Sequence, residues 1–205
     1  MSRYLGSRLR LIRKLGNLPN LTFKKSRRFS LPNVQSSLEL KKISEFGIRL
    51  KEKQKIKFSY GITDRQILNY LIKAKKKKSS TGIEFLNFLE MRLDTILLRS
   101  GFFPTIFFAR QFISHGHILV NDNIVSIPSF FCKPSDIVKV NNFILLHNIV
   151  KKNLLLVKSS YFTSVDYLLI DSDSLFIKVI NFVSKKSAIF IINELLVIEF
   201  YSKKL

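Results

Sequence analysis

The chain has 205 residues, 46% of them hydrophobic, with 35 Lys+Arg against 14 Asp+Glu and a formal net charge of +21. That apolar fraction excludes wholesale disorder, and the length suits one compact domain or two small ones. So large an excess of cations would repel itself in isolation, which predicts a polyanionic partner, either nucleic acid or an anionic membrane surface.

The cations are placed early. Residues 1–110 carry 25 of them with 7 acids, residues 111–205 carry 10 with 7, and no Arg follows Arg110. Residues 1–42 read as an extended basic arm interrupted by Gly6, Gly16, Pro19 and Pro32. Arg3, the cluster Arg8, Arg10, Arg13 and Lys14, and the cluster Lys24, Lys25, Arg27 and Arg28 recur along it. Leu9, Leu11, Ile12, Leu15 and Leu18 are too many apolar side chains for a solvated tail, so the expectation is an arm that orders on RNA.

Residues 41–100 read as helical. Lys51 to Lys55 are good helix formers, and Thr63 followed by Gln66 is a capping-box pattern ahead of the apolar face Ile67, Leu68, Leu71 and Ile72. A cationic run follows at Lys73 and Lys75 to Lys78; such runs are most often solvated surface. A further helix is expected from near Thr81 to Gly101, carrying Phe85, Leu86, Leu89, Leu93, Ile96 and Leu97. Thr105 then caps a short helix through Phe108, Phe112 and Ile113 that Gly116 ends. Ile118 to Val120 and Ile124 to Val125 read as a hairpin around Asn121, Asp122 and Asn123, and Asp136 to Val140 as another strand. Residues 141–186 mix β-branched runs with Ser and Asn and read as strands and loops. Ile192 to Ser202 reads as a final amphipathic helix.

Other chemistry finds little support. Cys132 stands alone, so there is neither an internal disulfide nor a multi-Cys zinc site, and the thiol is expected in the core. His115 and His117 flank Gly116 without a carboxylate or thiol nearby in sequence, so no metal and no cofactor are expected. No apolar stretch approaches the ~20 residues needed to span a bilayer. The Arg-rich, acid-free opening to Leu21 also describes a transit peptide.

Particular residues then become familiar. The opening Ser2 to Leu9 (SRYLGSRL) resembles the start of the small-subunit ribosomal protein four family. So do Ser44 to Lys55 (SEFGIRLKEKQK), Tyr60 to Gln66 (YGITDRQ), Ser80 to Gly82 and Leu89 to Asp94 (LEMRLD). Pro104 to Asn121 (PTIFFARQFISHGHILVN) looks like the RNA-binding module named after that family, and Ile192 to Lys203 (INELLVIEFYSK) like its C-terminal helix. The matches are collinear and correctly spaced over about three quarters of the chain.

The resemblance implies an α+β fold: an extended basic arm (1–42), a mainly helical domain (43–90, completed by 187–205), an inserted helix–helix–small-sheet RNA-binding module (91–152), and a C-terminal segment (153–205) returning to the helical domain. It implies direct and early binding of small-subunit rRNA, help in shaping the messenger entry path, and influence on decoding accuracy. Neighbouring small-subunit proteins and messenger RNA are then further partners. Arg92, Arg110, Gln111, Ser114 and His115 fall in the module's RNA-facing motif, and Lys41 and Lys42 near the messenger entrance. Residue chemistry agrees, because RNA duplexes are met through phosphates, 2′-hydroxyls and shape. Arg92, Arg99 and Arg110 offer forked donors to phosphates, while Gln111, Ser114 and Asn121 suit a 2′-hydroxyl. Lys53, Lys55, Arg65 and His117 complete the expected rRNA-binding set. Asp94 is expected to orient an Arg, and most of the 19 Phe to be core.

There are departures from the family pattern. No Cys precedes Cys132, so the arm's zinc cluster found in many bacterial relatives is not expected. Asp122 and Asn123 stand where Gly is usual, and Phe107 and Phe108 replace small residues. Arg3, Tyr4 and Gly6 match the family's mature start, which predicts synthesis within the compartment of use. A composition rich in Lys, Ile, Phe and Asn, with an ending like that of plastid members, points to a plastid ribosome, with bacterial cytoplasm or mitochondrion as the alternatives. Two rivals fail on the residues. An RNA-modifying enzyme or aminoacyl-tRNA synthetase sharing the module needs a catalytic domain for which no room is left, so no enzyme, catalytic residue or small-molecule substrate is expected. A membrane-surface protein needs a long one-sided basic helix, which the arm's prolines and glycines break.

Overall fold

The computed structural model describes residues 4, 6–16, 18, 21–22, 24, 44–141, 144–158, 165–171, 174–183 and 193–202. Among these the chain is α+β, with eight helices and one five-stranded antiparallel sheet.

The arm departs from the extended form expected of it. Arg8–Leu15 is a helix (α1) that ends at Gly16, whose φ of +99° lies in the region that favours glycine. Its leucines fall at helical spacing, and Leu11, Leu15, Leu18 and Leu21 bury themselves together against Phe58 and Phe107. Apolar burial holds this stretch against the rest of the chain.

Helix α2 (Glu45–Ser59) starts where Ser44 Oγ accepts from the Gly47 amide at 3.2 Å. Helix α3 (Asp64–Lys75) opens on the expected capping box: Gln66 N donates to Thr63 Oγ1 at 3.3 Å, and Thr63 N donates to Gln66 Oε1 at 3.0 Å. The single helix expected from Thr81 to Gly101 is two, α4 (Thr81–Glu90) and α5 (Leu93–Arg99). Arg92 breaks it: its backbone is extended (ψ 143°) and bridges to Phe131, which turns its guanidinium back onto Asp94. Helix α6 (Ile106–Ser114) begins at Thr105, which accepts from Phe108 N at 3.4 Å, and Gly116 (φ +76°) turns the chain out of it.

The sheet runs β2-β1-β3-β5-β4, with β1 Ile118–Val120, β2 Asn123–Ile124, β3 Ile137–Val140, β4 Leu168–Asp171 and β5 Phe176–Val179. Asn121 and Asp122 take φ of +48° and +66° between paired Val120 and Asn123, the conformation that a two-residue hairpin turn requires and that Asn and Asp tolerate. Residues 141–186 are not all strand and loop: Ile144–Lys158 is a helix (α7), with Val150 and Leu154 buried one turn apart. Nor does 153–205 return as one piece to the helical domain. Strands β4 and β5 extend the module's sheet through the β3–β5 pairing, and among the described residues it is α8 (Glu194–Tyr201) that packs on α2 and α4. A Cβ on Gly82 would lie 2.7 Å from Glu194 Cγ, so α4 and α8 meet where only glycine fits.

Two larger cores result. Phe102, Phe103, Phe112 and Ile113 pack under the sheet with Cys132, Val138 and Ile177, while Ile56, Leu71, Phe85, Leu89 and Val197 join α2, α3, α4 and α8. Each fully buried side chain of this size contributes about 1.5–3 kcal/mol. Burial pushes the Cys132 thiol up to about 12, which leaves it a small apolar residue.

Candidate nucleic-acid interface

A cleft of about 1270 Å³ opens where α1, the α2–α3 turn and α6 meet. Seven residues expected to bind rRNA line it: Arg8, Arg65, Arg92, Arg110, Gln111, Ser114 and His115. The chain brings them together from four stretches separated by up to 107 positions, Arg8 to His115.

The arginines of the floor are not free forks. Arg110 Nε donates to Asp94 Oδ2 at 2.8 Å, Nη1 to the Gly61 carbonyl at 2.6 Å and Nη2 to the Tyr60 carbonyl at 2.6 Å. Arg92 donates to both Asp94 oxygens at 2.9 and 2.7 Å, and Nη1 donates to Tyr70 Oη at 2.6 Å. The side chain of Asp94 is 0% exposed, that of Arg92 4% and that of Arg110 16%. Burial alone would push the Asp94 carboxyl up, but the two guanidiniums outweigh it and hold the acid well below the usual carboxylate range. Asp94 therefore orients two arginines, and the floor is a rigid cationic plate with most of its donors already spent.

Gly61 makes this plate possible. Its φ is +57°, and a Cβ there would sit 2.9 Å from Arg110 Nη1. Only a residue without a side chain lets the guanidinium reach the turn's carbonyls.

Arg99 corrects the expectation of a phosphate contact. Its side chain is 1% exposed and donates to both Glu90 oxygens, at 2.8 and 2.6 Å, deep between the two cores. Tyr60 and Tyr167 hydroxyls donate to the same carboxylate at 2.5 and 3.1 Å. Burial opposes the charge on Glu90, and Arg99 with the two hydroxyls overcomes it, lowering the acid. No phosphate reaches this guanidinium.

Other expected contacts are tied up in the fold. Lys53 is 10% exposed and pairs with Asp64 at 2.8 Å, and Lys55 pairs with Glu52 at 2.5 Å. The Asn121 amide donates to Asp136 Oδ1 at 2.9 Å and accepts from Ile137 N at 3.0 Å, closing the hairpin onto β3. His117 is half-buried with its ring on Phe112. None of these four lines the cleft. Arg10, Lys14 and Lys24 are exposed on the arm and Arg13 is half-buried there, while Arg3, Lys25, Arg27, Arg28, Lys41 and Lys42 lie outside the described residues.

What the cleft offers a ligand is its rim. Arg8, Arg65, Gln111, Ser114 and His115 are exposed. Ser114 Oγ donates to the Arg110 carbonyl at 2.8 Å, which leaves its lone pairs to accept. Sequence reasoning missed Lys57, which lines the cleft and pairs with Asp64. Its signal was there, in the cationic stretch leading to the Gly61 turn. It also missed Glu90, the acid of the LEMRLD motif that claims Arg99 nine positions later. Among the described residues, no group of His, Cys, Asp and Glu is arranged to hold a metal ion.

Residues 3–90 match the family described as the ribosomal protein S4/S9 N-terminal domain, and residues 91–138 match the S4 domain. Over the full length of both chains, the small ribosomal subunit protein uS4c of Euglena gracilis is 48% identical, and those of Mesostigma viride and Euglena longa are each 46% identical. This chain belongs to the uS4 family, chloroplast type. The uS4 family is structural rather than enzymatic, and its chloroplast type belongs to the plastid ribosome. The two uS4 segments meet between Glu90 and Met91, where α4 gives way to α5. Glu90–Arg99, Tyr70–Arg92 and the Arg110 bonds to Tyr60 and Gly61 all cross that boundary. The Glu90–Arg99 pair and the floor of the cleft thus lie at the seam of the two family segments.

Proposed function

We propose that this uS4-family chain binds small-subunit rRNA directly through the cleft between α1, the α2–α3 turn and α6, and that this binding nucleates assembly of the plastid small subunit. The observation that carries the reading is the division of labour in the cleft. A fixed cationic floor of Arg92 and Arg110 lies under a rim of exposed donors and acceptors from Arg8, Arg65, Gln111, Ser114 and His115. A floor already neutralised in part by Asp94 contributes field and shape, while the rim supplies the hydrogen bonds to phosphate and 2′-hydroxyl. This suits a ligand met through its backbone geometry.

The remaining cations of residues 1–42 extend the contact along the RNA backbone. Lys41 and Lys42 serve the messenger entry path, through which the protein influences accuracy. Neighbouring small-subunit proteins are further partners, while no cofactor, membrane or small-molecule substrate is involved. Among the described residues, no helix is long and apolar enough to cross a membrane.

The test is rRNA binding as a function of salt. Neutralising each phosphate lowers the slope of log affinity against log salt by about 0.7 to 0.9. Wild type is expected to show a slope worth several phosphates, and removal of residues 1–42 to flatten it. Binding that ignored salt, or a native chain that did not sediment with small subunits, would end this reading.

A further inference from the structure

Helix α6 faces the cleft with Phe107, Arg110, Gln111 and Ser114, which follow one another at i, i+3, i+4 and i+7 and so form one stripe along the helix. The stripe's own cation, Arg110, has most of its donors committed to the fold. All three nitrogens of Arg110 are engaged by Asp94 and the turn carbonyls. At the head of the stripe, where the ring of Phe107 stands, the Arg8 guanidinium lies 4.6 Å from the ring centroid. Phe107 also packs against the buried Leu11, Leu15, Leu18 and Leu21 cluster, so it meets α1 twice, once through its leucines and once through its exposed arginine.

We propose that Phe107 is a positioning residue that borrows a cation for the α6 stripe: it fixes Arg8 at the mouth of the cleft before RNA arrives, so that arm and module present one joined surface to the phosphodiester backbone. A guanidinium stacked on a ring keeps its N–H donors in the plane pointing outward, which is the arrangement that suits bidentate contact with phosphate oxygens. Arg8 remains exposed in that position, and its hydrogen bond within the described residues, Nη1 to the Leu21 carbonyl, is long at 3.5 Å. A smaller residue at 107 would leave α1 attached by its leucines but its arginine without a platform. The ring thus makes arm and module act as a unit, and this deepens the proposed rRNA contact on which it rests.

The experiment is a double-mutant cycle on the full chain, with small-subunit rRNA as the probe and affinity measured at several salt concentrations. Arg8→Ala should weaken binding about tenfold and reduce the salt slope by about 0.7–0.9, as for one lost charge-assisted phosphate contact. Phe107→Leu, which keeps an apolar side chain against the leucine cluster, should cause a comparable loss, Phe107→Tyr should restore binding, and the double variant should be no worse than Arg8→Ala alone. Additive losses, or an unchanged slope in Phe107→Leu, would overturn the proposal. A second measurement needs no variant and no RNA. The Arg8 side-chain proton resonances of the free protein should be shifted upfield by the ring, and random-coil values there would refute the positioning of Arg8. If wild type bound no rRNA at all, the proposed function would fall, and the ring-shift measurement would still judge the contact itself.

Discussion

Arg99 and Arg110 stand eleven positions apart, bracket the same loop, and each holds a carboxylate, yet they belong to different kinds of site. Arg99 meets Glu90 where both are 1% exposed and two tyrosine hydroxyls complete the acid's shell. Arg110 is 16% exposed, and it shares Asp94 with Arg92 at the floor of an open cleft. One acid per guanidinium leaves a neutral, closed cluster. One acid between two guanidiniums leaves a net positive charge, and the cleft is where that charge faces solvent. An arginine's role in this protein thus follows from how many carboxylates it must share and from whether water reaches it.

The largest effect tests the closed cluster. Arg99→Ala leaves Glu90 charged and buried without its partner, which costs about 3–5 kcal/mol of stability. Urea unfolding should show it as a much lower midpoint. Arg99→Met with Glu90→Leu together should recover most of the loss, because removing both charges removes the unpaired one. If Arg99→Ala folded normally but bound rRNA poorly, the comparison would be reversed and Arg99 returned to the interface.

Gly61→Ala probes the seam between the regions. The left-handed backbone costs an L-residue about 1–2 kcal/mol, and the methyl also pushes on Arg110 Nη1. Expected is a fall in melting temperature together with weaker rRNA binding, since the displaced guanidinium is part of the floor. A variant with wild-type melting and wild-type binding would show that the turn does not hold the plate.

The rim is expected to behave in the opposite way. Gln111→Ala and Arg65→Ala lie on exposed positions, where substitution usually shifts stability by less than about 0.5 kcal/mol. Both should melt as wild type does while rRNA affinity falls, and only Arg65→Ala should lower the salt slope, by about 0.7 to 0.9. Equal slopes for the two variants would mean that Arg65 does not neutralise a phosphate.

Much of this arrangement was legible in the residues, and the rest was hidden for identifiable reasons. The Thr63–Gln66 box, the Thr105 cap and the Asn121–Asp122 turn are local, since each is written within a few positions of where it acts. Residues 91–92 were misread because Met91 and Arg92 do not break a helical pattern, and the break comes from Asp94, Tyr70 and Phe131 pulling Arg92 outward. Helix α7 was missed because Ile144, Ile149 and Val150 with Asn148 and Asn153 favour strand and loop, whereas burial of Val150 and Leu154 under the sheet overrides that preference. For the site, the family motif pointed to the right stretch of α6 but could not tell Gln111, which meets solvent, from Arg110, which holds the turn. That distinction depends on Asp94 and Gly61, sixteen and forty-nine positions away. The arm's leucines promised order, and their partners Phe58 and Phe107 could not be read from spacing alone.

Acid gives the smallest effect. Burial would raise the Asp64 carboxyl, but hydrogen bonds from Lys53 and Lys57 outweigh it and hold the group at about 2. Its folded value lies below the ~3.9 of an unfolded aspartate, so it stabilises the fold above about pH 4, and that contribution is lost as pH falls from there toward 2. Glu90 and Asp94 are lowered as well and act in the same direction, so the protein as a whole should weaken in this window. Asp64 is partly exposed and screened, and its share is small beside that of the buried acids. Urea midpoints measured from pH 5 down to pH 2 should fall for wild type and fall slightly less for Asp64→Asn, which starts lower at pH 5. Were Asp64→Asn to abolish the acid sensitivity altogether, the closed cluster would not be where the pH-dependent stability resides, and the contrast between the sealed and the open arginine would lose its energetic basis.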